Sequence, residues 1–95
     1  MSVYFIAQIN INNKNIYQQY INSAGEVFSK YKGRYLAVDD SPVCLEGFWD
    51  EGRIVLIEFP SKKDFNDWYY SAEYQEILNY RFKGAICNTI LILGK

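Results

Sequence analysis

The stretch "RIVLIEFPS", Arg53 to Ser61, decides the fold. Val55, Ile57 and Phe59 share one parity, and Ile54 and Leu56 share the other. That pattern is a β-strand apolar on both faces, with Glu58 interrupting the second set. Pro60 has no N–H to give to a ladder and stops the strand. Ser61, with Asp64 three residues on, has the form of a helix-start capping box, although Asp fits that place less well than Glu or Gln.

Working outward toward the C-terminus, Phe65, Trp68, Tyr69 and Ala72 fall on one helical stripe. Ser71 can cap a third, short helix, on which Tyr74, Ile77, Leu78, Arg81 and Phe82 share a face. Gly84 ends that helix. "AICNTILIL", Ala85 to Leu93, is the last strand. The segment from Asp67 to Arg81 holds one Trp, four Tyr and an Arg, in a chain with no histidine. Tyr70 and Tyr80 lie off both stripes and are expected at the surface or an interface.

Toward the N-terminus, "DEG" (Asp50 to Gly52) and "DDSP" (Asp39 to Pro42) read as turns. "VCLEGFW" (Val43 to Trp49) between them is a short strand or an extended arm, and "RYLAV" (Arg34 to Val38) is a strand. These turns favour antiparallel pairing. Ile16, Tyr17, Tyr20, Ile21, Ala24, Val27, Phe28 and Tyr31 recur at helical spacing. Asn12 or Asn13 can cap that helix, and Gly33 is expected in the C′ position. Gly25 within it suggests close backbone packing. Val3 to Ile11 alternates as the first strand.

The order is strand, helix, strand, strand, helix, strand, with the second helix broken in two. This is the ferredoxin-like βαββαβ pattern of the α+β class, with helices on one face of a four-stranded antiparallel sheet. A monomer would then have a polar second face. Here Ile6, Ile54, Leu56, Ile86, Ile90 and Ile92 leave apolar residues on both faces. The simplest cover is a second copy, sheet against sheet about a two-fold axis.

Ninety-five residues allow one domain, residues 1–95. So short a chain, 49% hydrophobic and 18% aromatic, gains core from a partner subunit. Net charge is −1 with no run of Lys or Arg, which argues against nucleic acid and anionic membrane as partners. Two cysteines, Cys44 and Cys87, make neither a disulfide framework nor, without histidine, a zinc site. Both are expected to behave as small hydrophobes in strands. The N-terminus reads as a strand and not as a signal peptide or membrane span, which gives a cytoplasmic protein as the default.

The three arginines stand out against seven lysines. Arg suits planar, bidentate recognition of a carboxylate. Arg81 on the apolar stripe and Glu58 on strand three are expected to meet Tyr69 and Tyr74 at the rim of a cavity between helices and sheet. The structural alternative is an ion pair tying helix to sheet. Arg34 with Glu46 or Glu58, and Arg53 with a neighbouring acid, read as cross-strand pairs. Trp68 and Tyr69 suit a core, and Trp49 suits a pocket lid or a subunit contact. With no His base, metal cluster or phosphate loop, catalysis would need a carboxylate base, Glu58, raised by burial and helped by tyrosine hydroxyls.

"GRYL" (Gly33 to Leu36), "LEGFWDEGRIVLIEFPS" (Leu45 to Ser61) and "WYYSAEYQEILNYR" (Trp68 to Arg81) together resemble the domain-of-unknown-function family numbered 1330, of the dimeric α+β barrel superfamily. The likeness runs over nearly the whole chain, in the right order, and takes in all three arginines. It implies a ferredoxin-like homodimer with packed sheets. On pattern positions alone it marks Arg34, Tyr35, Glu46, Trp49, Glu58, Trp68, Tyr69, Ser71, Tyr74 and Arg81. Ala72 stands where the family often has Pro, and the histidines of some relatives are absent. The family's activity is unassigned. The superfamily includes cofactor-less monooxygenases and small-molecule isomerases or dehydratases, which is an analogy of fold.

The expectation is a small homodimer that binds or transforms a carboxylated or aromatic metabolite without cofactor or metal. Its ligand-binding candidates are Arg34, Tyr35, Trp49, Glu58, Trp68, Tyr69, Tyr74 and Arg81. The alternative is a non-catalytic structural or regulatory dimer in which the same residues are core and interface. An open pocket lined by Glu58, Tyr74 and Arg81 would favour the first, and a filled core the second.

Overall fold

Val3–Ile11 (β1) alternates buried and half-buried residues along its length, as its apolar pattern predicts. The computed structural model describes all of residues 1–95. After β1 come α1 (Lys14–Phe28), β2 (Arg34–Asp39), β3 (Arg53–Phe59), α2 (Lys62–Tyr69), α3 (Ala72–Gly84) and β4 (Ala85–Leu93). The four strands form one sheet in the order β2-β3-β1-β4, and every neighbouring pair is antiparallel. This is the ferredoxin-like arrangement read from the sequence.

Register assigns the faces. Phe5 pairs with Ile57 and Leu91, and Ala7 with Val55 and Thr89, so these residues point toward the helices. Ile6 pairs with Leu56 and Ile90, and Tyr4 with Glu58 and Ile92, on the opposite, open face. The core lies on the helix side, where Phe5, Phe28, Phe59, Phe65, Trp68 and Tyr74 form a continuous aromatic cluster. Phe59 stacks on Trp68 at 5.4 Å between centroids, and Trp68 meets Tyr74 at 4.3 Å. On the open face Ile86, Ile90 and Ile92 stay largely exposed.

The helix starts follow the predicted caps. Asn13 Oδ1 accepts from the Ile16 N–H, Ser61 Oγ from Asp64 and Ser71 Oγ from Tyr74. Ser61 Oγ also donates to Asp64 Oδ2, so the capping box closes through the hydroxyl. Two backbone bonds join the start of α1 to the end of α3, from the Asn12 and Asn13 N–H groups to the Gly84 carbonyl. Gly84 permits this approach: a Cβ there would lie 2.6 Å from the Tyr17 nitrogen. The clamp sets α1 against α3 and so fixes which of their side chains meet.

Several expectations need correction. Helix α1 ends at Phe28, because Lys30 and Tyr31 turn back in tight bonds to Val27 and Phe28. Gly33 is therefore not its C′ residue. It is small because the Phe28 and Phe59 rings would lie within 2.7 Å of a Cβ. A Cβ at Gly25 would meet no neighbouring element within 4 Å, so no close packing explains it. "VCLEGFW" forms no strand; Asp40–Gly52 is an exposed loop that carries Cys44, so only Cys87 lies in a strand. Ala72 and Phe82 are exposed, which narrows both helical stripes.

Candidate functional site

Between α1 and the helix face of the sheet lies a cavity of about 260 Å³. β1 supplies Phe5, Ala7 and Ile9 to its wall, and β3 supplies Arg53, Val55 and Ile57. Helix α1 supplies Tyr17, Tyr20, Ile21, Ala24 and Gly25, while α2 and α3 each supply one residue, Trp68 and Arg81. β2 contributes Tyr35 and Val38. Three residues apart, those two would face opposite ways in a regular strand. A bulge between Tyr35 and Ala37 shifts the register, so Tyr35 pairs with Ile57 and Val38 with Val55.

The wall is mostly apolar, and its polar side chains are Tyr17, Tyr20, Tyr35, Arg53 and Arg81. The Arg53 Nε, Trp68 Nε1 and Arg81 Nε donors are buried without an acceptor. Arg81 is 2% exposed, and no carboxylate lies within ion-pairing distance of it. Its Nη1 donates to the Tyr74 hydroxyl at 3.3 Å, and its guanidinium carbon sits 5.8 Å from the Tyr20 ring centroid. The Tyr74 and Tyr20 oxygens are 2.7 Å apart. Burial works against the Arg81 charge, and the upward shift of its pKa comes from the Tyr74 and Tyr20 oxygens only once they ionise, far above neutral pH. Burial pushes the Tyr17 hydroxyl up to about 12 and raises Tyr20, Tyr35 and Tyr74. Near neutral pH every phenol on the wall is protonated.

A charge buried without a partner costs several kcal/mol even after relaxation, roughly the scale seen when one member of a buried pair is removed. Unsatisfied buried donors add to that. Of the two arginines on the wall, Arg53 has Asp40 as a partner and Arg81 has no acid partner, a chemistry that suits an anionic oxygen on an apolar body. The wall contains no carboxylate or histidine to serve as a general base, and the chain has no cluster suited to a metal ion.

The structure brings together only some of the predicted site residues. Tyr35, Trp68 and Arg81 line the cavity, and fully buried Tyr74 stands behind it. Glu58 does not join them. It projects from the open face, where its Oε1 accepts from Arg34 at 2.6 Å and its Oε2 from the Tyr4 hydroxyl at 3.1 Å. The Arg34 hydrogen bond, and then that from Tyr4, hold its pKa below the usual carboxylate value. A Glu58 base raised by burial is thus overturned, as is any Glu58–Arg81 contact, because the two side chains lie on opposite sides of the sheet. Tyr69 packs on Phe65, outside the cavity wall. Trp49 is in the loop, 57% exposed. Arg53 pairs with Asp40 at 3.5 Å, and Arg34 with Glu58, as cross-strand reasoning expected.

Tyr17, Tyr20, Arg53 and Val38 belong to the wall but were absent from the predicted set. The α1 stripe marked Tyr17 and Tyr20 as inward-facing without distinguishing core from cavity. A larger hollow of about 700 Å³ under the Asp40–Gly52 loop is lined by Trp49. Its Asp40, Asp50 and Glu51 carboxylates outnumber Arg53, so it is the weaker site for an anion.

A βαββαβ chain with a four-stranded antiparallel sheet and its helices on one face has the ferredoxin-like α+β fold. The chain belongs to the family described as Domain of unknown function (DUF1330), whose model matches residues 2–95. No curated protein matches the sequence. Among solved structures, a protein of unknown function from Rhodopseudomonas palustris is similar at a TM-score of 0.80 and 18% identity, over 99% of this chain and 82% of its own. SnoaB, a cofactor-independent oxygenase from Streptomyces nogalater, is similar at a TM-score of 0.70 and 8% identity, over 99% of this chain and 93% of its own. A dimeric ferredoxin-like protein of unknown function from Thermobifida fusca is similar at 0.66 and 14% identity, over 98% and 92%. At these identities the likeness is one of fold.

Proposed function

We propose that residues 1–95 act as one dimeric α+β barrel domain that binds a small apolar or aromatic metabolite carrying a carboxylate or other oxyanion. The binding place is the cavity between α1 and the sheet. The observation that carries this reading is Arg81, a buried cation on the cavity wall with no carboxylate partner. The ligand's anionic oxygen would be its counter-ion.

Any chemistry would then be the stabilisation of an anion by fixed donors, with no cofactor, since the wall supplies no base that is ionised near neutral pH. The oxygenase activity named for SnoaB is compatible with such a site. The exposed Ile86, Ile90 and Ile92 support a homodimer packed sheet against sheet, and the dimeric Thermobifida fusca protein has the same fold.

The test is calorimetric titration with benzoate, salicylate and 1-naphthoate beside their neutral amides. The reading expects saturable binding of at least one acid, with its amide about tenfold weaker or worse. No binding by any acid, or equal binding by the amides, would remove it. A non-catalytic regulatory dimer is the second reading, and the same titration with product analysis separates it from an enzyme.

A further inference from the structure

Hydrogen-bond accounting around Tyr74 favours one direction for a proton chain. Arg81 Nη1 can only donate, so the Tyr74 oxygen accepts from it at 3.3 Å. Tyr74 is fully buried, and its own proton needs an acceptor. The Tyr20 oxygen, 2.7 Å away, is the acceptor the structure provides. The geometry allows either direction, and full burial of Tyr74 favours Tyr74 as the donor in that pair. The Tyr20 proton is left without an acceptor in the protein, on a residue that lines the cavity.

We infer that Arg81, Tyr74 and Tyr20 form a one-way donor chain that makes the Tyr20 hydroxyl the specificity-determining contact to the ligand's oxyanion. The inference deepens, and rests on, the ligand reading above. Arg81 lies close to both hydroxyl-bearing rings and donates to Tyr74, and Tyr74 in turn polarises Tyr20, since successive donors in a buried chain strengthen one another. Tyr74 is a positioning residue: it touches no ligand but dictates which way Tyr20 can donate. An amide or alcohol can still offer its oxygen to the Tyr20 hydroxyl, but without the charge that strengthens the bond and matches Arg81. The site therefore selects an arene or short apolar carboxylate, phenolate or enolate over its neutral amide or alcohol.

Two measurements test this. Neutron diffraction from deuterium-exchanged crystals locates the protons with no ligand needed. The Tyr74 deuterium should point at the Tyr20 oxygen; a Tyr20 deuterium pointing at Tyr74 would overturn the chain. Calorimetry with the tightest of the three acids then reads function. Tyr20→Phe should weaken it about 10- to 100-fold while shifting the amide little, on the scale of a charge-assisted hydrogen bond. Tyr74→Phe should weaken it less, and its effect should vanish in the Tyr20→Phe background. If the wild type binds an acid and Tyr20→Phe binds it equally, the chain fails while the ligand reading survives. Additive Tyr74 and Tyr20 effects would show a merely structural Tyr74 and would also overturn it. If the wild type binds none of the acids, the ligand reading itself falls, and the chain's role falls with it.

Discussion

Arg81 and Tyr74, one heptad apart on α3, meet inside the molecule with Nη1 3.3 Å from the hydroxyl oxygen. Helical periodicity brings them to one face, and the α1–α3 clamp adds Tyr20 to the pair. What is missing from the group is an acid. A buried guanidinium surrounded by phenols and apolar rings is an expensive arrangement for the folded chain alone. On the proposed reading it becomes favourable when an anion enters.

The first consequence concerns stability. Arg81→Met replaces an unpaired buried cation by an apolar side chain of similar length, an exchange that is often neutral or stabilising. The melting temperature of the free protein should stay within a few degrees of wild type or rise. A structural arginine would behave otherwise: a loss of about 3–5 kcal/mol, which in a domain this size lowers the midpoint by well over ten degrees. Differential scanning calorimetry distinguishes the two.

Glu58 gives a pH dependence of definite sign. Its folded pKa is depressed, first by Arg34 and then by Tyr4. A depressed carboxylate stabilises the fold above its unfolded value, about 4.3, and that contribution is lost as pH falls through the lower folded value. Glu58→Gln should therefore flatten the loss of thermal stability below about pH 4.3. It should leave carboxylate binding unchanged, since Glu58 lies on the far side of the sheet from the cavity. A large loss of binding in this variant would restore Glu58 to the site.

The open face makes a prediction about mass. Ile6 sits at its centre, paired with Leu56 and Ile90. Light scattering at micromolar concentration should give about twice the chain's 11.2 kDa for the wild type, and the single-chain mass for Ile6→Lys. A wild-type monomer would remove the sheet-to-sheet dimer.

Two glycines in helices should respond in opposite ways. Gly84→Ala drives a Cβ to within 2.9 Å of Tyr17 backbone atoms, which cannot move without breaking the clamp. It should destabilise by about 1–3 kcal/mol. Gly25→Ala meets nothing within 4 Å in a helix interior and should stabilise by about 0.4–1 kcal/mol. Urea unfolding of both variants checks the pair.

Most of the fold was legible because its signals are local and periodic: alternation in Val3–Ile11 and Arg53–Phe59, stripes in the helices, and serine and asparagine caps. The Asp40–Gly52 loop was read as partly extended because its apolar residues mimic a strand. Yet Val43, Leu45 and Phe48 stay exposed and find no ladder partner. Within the site, Arg81 and Trp68 were legible from their stripes. Tyr35 was marked by family pattern alone, since the β2 bulge that turns both it and Val38 inward leaves no periodic trace. Tyr20 was visible as an inward residue, but whether such a residue meets another side chain or a cavity depends on packing between distant elements. Glu58 was misjoined to Arg81 although its parity with Ile54 and Leu56 already placed it on the other face.

The most direct test of the binding account is a crystal structure of the protein grown with 1-naphthoate. The account predicts the naphthyl ring in the cavity between α1 and the sheet, its carboxylate within about 3.2 Å of the Arg81 guanidinium and the Tyr20 hydroxyl. A cavity closed by rearranged side chains, with Arg81 paired to a carboxylate of the protein, would contradict it.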